Sequence, residues 1–267
     1  MMNSRIEVLK RIGTKEALFP HLREVALLLG AYLVYMVGRL IIHATAGDTS
    51  VTHALSVIKF EKALDIFWEP HLQRWSLQLG NGFVRAFNYL YIATYWPVIL
   101  TVGFVMYIFD RKRYYYYRKL ILSSFVIALV IFELFPLAPP RMMTSSGLQD
   151  MIGLLGPKWY GSEQAAGFYN DVAAMPSLHF AWTVVYGFMF WSMGKWWLKV
   201  IGVLYPTVMF FTIVITGNHY VVDAIAGALL MLFVYLVHEQ IWRRDRLARV
   251  AAFIRRRPSR QPDVSSA

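Results

Sequence analysis

The chain has 267 residues, of which 57% are hydrophobic and only 16% charged, well below the roughly 25% charge of ordinary soluble domains. The composition points to an integral membrane protein and leaves no room for a separate soluble domain. Cysteine is absent, which excludes disulfides, thiol catalysis and thiolate metal ligands.

In chain order, residues 1–24 form a mixed-charge, amphipathic segment ahead of the first apolar run, Val25–His43. The second run, Ala86–Phe109, is followed by a shorter third, Leu120–Phe135, then Pro176–Met193, Trp196–Ile215 and Tyr220–Val237. Crossing a hydrocarbon core of roughly 30 Å takes about 20 residues, so each run is read as a span. The expected fold is all-α, a polytopic six-transmembrane-helix bundle over residues 25–240, with a basic tail at 241–267. No cleavable signal peptide precedes the first run, which is expected to remain as an anchor.

Between the first two spans, "VIKFEKALDIFWEPHLQRW" sets Val57, Phe60, Leu64 and Phe67 at helical spacing, with Trp68 and Trp75 as interfacial anchors. The stretch is too charged to span. It reads as interfacial helices over about residues 52–78, lying on the outer leaflet. Simple packing on the membrane surface is the plainer reading of these helices, and a lid over a lipid entry path the functional one.

The net charge of +11 is unevenly placed. Arg5, Lys10, Arg11, Lys15 and Arg23 precede the first span; Arg111, Lys112, Arg113, Arg118 and Lys119 join the second to the third. Lys195 and Lys199 flank the fourth connection, and eight arginines follow Glu239. The positive-inside rule then puts both termini in the cytoplasm and an even number of spans between them. Loops 44–85, 136–176 and 216–219 share the extracytoplasmic side. The excess charge is topological and calls for no nucleic-acid partner; the tail is expected to lie on anionic lipid head groups.

Three polar clusters meet at that outer boundary: "FPLAPPRMM" (135–143), "AMPSLHFAWT" (174–183) and "TGNHYVVDAIAG" (216–227). His219 and Asp223 are four apart, so on a helix they share a face. A carboxylate so placed can hold one imidazole nitrogen protonated and leave the other free to attack. Pro176 suits the first turn of a helix, whose free amides form an anion site. Ser177 can donate its hydroxyl to the same anion, and His179 can deliver a proton beside it. Arg141, stiffened by Pro139 and Pro140, can bind a phosphate through two parallel hydrogen bonds. The set suits phosphoryl transfer through a phosphohistidine on His219, with His179 as general acid and then base. Arg141 and Ser177 would neutralise charge on the phosphate oxygens. The scheme calls for no metal and no cofactor. His43, His53 and His71 have a spacing that fits no zinc-ligand pattern. Asn218 and Asn170 could cap helices or touch the substrate, capping being the plainer reading.

At these residues the chain resembles the type-2 phosphatidic acid phosphatase superfamily of membrane lipid phosphatases and phosphotransferases, over roughly Ala86 to Leu236. The resemblance implies a six-helix membrane core with His219 as nucleophile, His179 as acid and base, Asp223 as orienting carboxylate and Ser177 as phosphate ligand. Leu134 stands where the family's first motif has a lysine, Met142 follows Arg141, and Thr212 and Ile213 replace the Ser-Arg of the third motif. The "PPR", "PSLH" and "HYxxD" set looks more like the branch of inositol phosphorylceramide synthases and their bacterial relatives, some of which transfer a phospho-headgroup to an alcohol. Arg74, Arg85 and Lys158 are candidates for the missing charge. The substrate implied is a membrane lipid phosphate or phosphodiester, with water or an alcohol as acceptor. The alternative from a different class is a non-catalytic lipid-binding or transport protein on the same scaffold. A transporter would show repeat symmetry or broken spans at mid-membrane, and the sequence has neither.

Overall fold

A computed structural model describes residues 15–46, 48–158 and 172–255. Its helices are α1 (Lys15–Ala46), α2 (Thr49–Ala63), α3 (Glu69–Gln78), α4 (Asn81–Phe109), α5 (Arg111–Leu134), the short α6 (Met151–Leu155), α7 (Leu178–Ser192), α8 (Trp196–Ile215) and α9 (Val221–Arg255). Among the described residues no strand forms; Leu137 and Ala173 make one isolated parallel bridge.

Four helical stretches are long and apolar enough to cross a membrane: Leu18–Ile42 of α1, all of α4, all of α8, and Val221–Ile241 of α9. The sequence reading expects six, and the other two fall short for different reasons. α5 opens on Arg111, Lys112, Arg113, Arg118 and Lys119, which leaves only a short apolar remainder. α7 has 15 residues, about 22 Å at the helical rise, against a hydrocarbon core of roughly 30 Å. Large apolar side chains point outward all along the bundle: Leu33, Phe104, Phe109, Leu134, Phe188 and Leu229 are each more than half exposed. So continuous an apolar exterior is a lipid-facing surface. The chain is a multi-pass membrane protein.

The long helices alternate in direction, so the bundle has two chemically different ends. At one, Glu24 of α1 accepts hydrogen bonds from Tyr114, at 2.7 Å, and from Arg118. There too Tyr116 donates to Glu239 at 3.2 Å and Tyr107 lies 2.6 Å from His21 Nδ1. The other end collects α2, α3, α6, the starts of α4, α7 and α9, and the finish of α8. Between them Phe125, Phe132, Trp182, Val185, Leu230 and Met231 build an apolar core. The Trp182 indole N–H is satisfied by Ser124 Oγ at 3.1 Å, as a buried donor must be.

Two segments gain detail beyond the sequence reading. α9 runs unbroken for 35 residues, carrying the helix of the last span into the basic tail. No Gly or Pro stands between Gly227 and Pro258 to stop it. The loop after α5 is also more ordered than a simple outer loop. It holds two turns of 3-10 helix, Pro140–Met142 and Thr144–Ser146, and then α6. Residues 1–14 and 256–267, and Asn170 with its supposed cap, lie outside the described residues.

Candidate active site

α7 begins where Ser177 caps it: its Oγ accepts the backbone N–H of Phe180 at 3.3 Å, the usual service of a serine at that position. Pro176, expected within the first turn, instead stands one residue ahead of this cap. Ser177 is fully buried. Its own N–H donates to the Asp223 carbonyl at 3.0 Å, tying the start of α7 to the start of α9. Gly227 permits that approach, because a Cβ there would lie 2.6 Å from the Ser177 carbonyl oxygen.

Two residues into α7, His179 stacks on the rings of Tyr95 and Tyr91, with centroids 3.9 and 4.4 Å away. Its third aromatic neighbour is His219, at 5.8 Å. The sequence offers no signal for the two tyrosines beyond their spacing of one helical turn on α4.

His219 precedes α9 and is buried. Its Nδ1 lies 2.8 Å from the Ala174 carbonyl oxygen and 3.4 Å from Asp223 Oδ2. A carbonyl can only accept, so this contact assigns the proton to Nδ1 and the lone pair to Nε2. From sequence that task falls to Asp223 alone. In the fold the carboxylate is the more distant of two acceptors, and its Oδ2 also takes the backbone N–H of Tyr220 at 2.9 Å. Asp223 thus caps α9 and borders the imidazole at once.

Arg141 sits in the first 3-10 turn. Its N–H donates to the Gly217 carbonyl at 2.8 Å, and its guanidinium donates to Asn218 Oδ1. Gly217 adopts φ +75°, a conformation glycine takes without steric cost. Asn218, read from sequence as a cap, is a partner of Arg141 and donates its Nδ2 to Thr216 Oγ1 at 2.8 Å. Arg141, Ser177, His179, His219 and Asp223 therefore fall at one end of the bundle, linked through Asn218, Ala174 and the Ser177–Asp223 backbone bond.

The candidate substitute cations do not join them. Arg74 lies 3.1 Å from His71 Nδ1, and Arg74, Arg85 and Lys158 are exposed. His53 Nδ1 lies 2.8 Å from the Pro136 carbonyl oxygen and the ring stacks on Phe135. Among the described residues no three potential metal ligands converge.

Sequence reasoning missed a second group altogether. Gln73 of α3 bonds both ways with the Gln149 backbone, at 2.9 and 3.0 Å, and donates to the Ile215 carbonyl at 3.3 Å. Glu61 and Glu69 are fully buried against the head of α9. A charged, amphipathic stretch is expected to turn its charges to water, so no pattern in it flagged these three.

A family model described as the PAP2 superfamily matches residues 55–237, well over half of the chain. No curated protein and no solved structure matches it.

Proposed function

The chain belongs to the PAP2 superfamily, and on that footing we propose that it is an integral-membrane lipid phosphatase or phospho-headgroup transferase working through a phosphohistidine on His219. The observation that carries this reading is the facing of two imidazoles, His179 and His219, 5.8 Å apart, with the Nδ1 of His219 committed to the Ala174 carbonyl. That arrangement leaves His219 Nε2 available to attack phosphorus. His179 would give a proton to the departing oxygen and then take one from the incoming water or alcohol. Arg141, aimed by Asn218, and the start of α7 at Ser177 would meet the phosphate oxygens. The phosphoryl group passes from lipid to His219, where a P–N bond forms as the P–O bond to the leaving group breaks, and then to the acceptor, where a new P–O bond forms as the P–N bond breaks.

In this reading α5 and α7 cross the membrane beside α1, α4, α8 and α9, giving six spans with both termini in the cytoplasm. The short α7 then starts below the outer lipid–water boundary, which sinks the reacting groups to the depth of a lipid headgroup. The transferase branch is supported by Leu134, Thr212 and Ile213 in place of the usual cationic positions. Fewer cations suit a phosphodiester, which carries less charge than a phosphomonoester.

The test is incubation of purified protein with a panel of lipid phosphates and phosphodiesters, with and without candidate alcohols, read by mass spectrometry. Conversion that disappears in His219→Ala supports the reading and names donor and acceptor. Equal conversion by both proteins overturns it.

A further inference from the structure

α2 and α3 reach the head of α9 with two carboxylates. Glu69 Oε1 accepts the backbone N–H of Val221 at 2.7 Å, and Glu61 Oε1 that of Val222 at 2.8 Å. With Tyr220 N–H on Asp223, three successive amides are each taken by a carboxylate from a different helix. A helix start leaves such donors without intrahelical partners, and one capping side chain is the ordinary remedy. Three converging on successive amides hold the helix in place as well as capping it.

Oε2 of Glu61 and Oε2 of Glu69 are buried and accept no hydrogen bond from a described donor, and the Oε1 atoms hold the amides of adjacent residues, which sets the two carboxyl groups side by side. Two ionised carboxylates so placed would repel. One proton held between them removes that repulsion and gives the pair an O–H donor for a carboxylate acceptor. The remaining negative charge faces the positive end of α9, where it is favourable.

We propose that Glu61 and Glu69 form a one-proton carboxyl–carboxylate clamp, carried by the two interfacial helices, that positions His219 and Asp223 by gripping the first amides of α9. Its kinetic consequence rests on the function proposed above; the shared proton does not. The titratable groups facing the pair are Asp223 and Tyr220 at the head of α9, while Lys59 and Lys62 on α2 are exposed. Burial first, and the Glu69 charge second, push Glu61 up to about 9. Burial raises Glu69 as well.

Infrared difference spectra of the full-length protein against Glu61→Gln and Glu69→Gln provide the direct test. A protonated-carboxyl band at neutral pH should vanish in either single variant, because glutamine then supplies the donor. A band missing from the wild type, or surviving both substitutions, overturns the clamp. With p-nitrophenyl phosphate as donor, Glu61→Ala should lower kcat on the order of 10²-fold with little change in KM, the scale of a small misplacement of reacting groups. Glu61→Gln should recover most of that loss and remove the fall in rate as pH rises through about 9. Wild-type kcat in Glu61→Ala, a wild-type profile with no such fall, or the same fall in Glu61→Gln would each overturn it. Should the wild type show no His219-dependent turnover, the proposed reaction fails and the infrared band alone decides the clamp.

Discussion

His179 and His219 turn their rings toward one another across 5.8 Å, with planes inclined by 52°. The separation leaves room for one group that touches both. If that group is a phosphoryl centre, the two residues fail differently when removed. His219→Ala should lose all enzyme-dependent turnover. His179→Ala should slow lipid turnover by about 10²–10⁴-fold, the usual worth of a general acid and base. In His179→Ala, p-nitrophenyl phosphate, whose leaving group needs little protonation, should still be attacked by His219, but the resulting phosphohistidine should discharge slowly. Phosphate bound to the His219 peptide, detected by mass spectrometry, should accumulate in this variant alone.

The Arg141 guanidinium is aimed by Asn218, so the two should behave as a unit. A hydrogen bond to a charged group is worth about 1.5–3 kcal/mol, so Asn218→Ala should lower kcat/KM by roughly ten- to a hundredfold. Arg141→Lys should exceed Arg141→Ala in kcat/KM by no more than a small factor, since lysine lacks the planar fork. Steady-state kinetics on the three variants checks both statements.

Gly227 lies where α9 touches the start of α7, and a methyl there would fall 2.6 Å from the Ser177 carbonyl oxygen. Backbone atoms have no side-chain freedom with which to yield. Gly227→Ala should cost about 1–3 kcal/mol of stability, as overpacking does, and lower the Tm of detergent-solubilised protein.

Stability should also fall as pH rises, through Glu61. Its folded pKa is raised to about 9 from an ordinary value of 4.5, so between those values the folded protein holds a proton that the unfolded chain releases. Stability from this group is complete below the ordinary value and is lost progressively up to about 9. Tm measured across that range should decline more steeply for the wild type than for Glu61→Gln.

Because the chain has no cysteine, single introduced thiols report sidedness without background. In intact cells Ser145→Cys, exposed after Arg141, should react with a membrane-impermeant maleimide. Ser259→Cys in the basic tail should react only after permeabilisation. The reverse pattern would turn the proposed topology over.

Much of this was legible in the residues because it is encoded locally. Apolar runs set the helices, lysines and arginines marked one end of the bundle, and "PSLH" with "HYVVD" placed four polar side chains at two helix starts. Arg141 could be added because its loop had to return to the same end. The span count was less legible: a run such as Pro176–Met193 has the composition of a span, but its helix begins only at Leu178.

What the sequence determined by itself was composition along each helix, and hence class, membrane embedding and the candidate reacting groups. Tertiary structure alone decided who holds them. The acceptor that orients His219 is a carbonyl 45 residues away, and the amide of Val222 is taken by a glutamate 161 residues away. Hydropathy and charge are properties summed over neighbours in the chain. A hydrogen bond depends on two atoms meeting within about 3 Å, and only the packing of the helices determines which atoms meet.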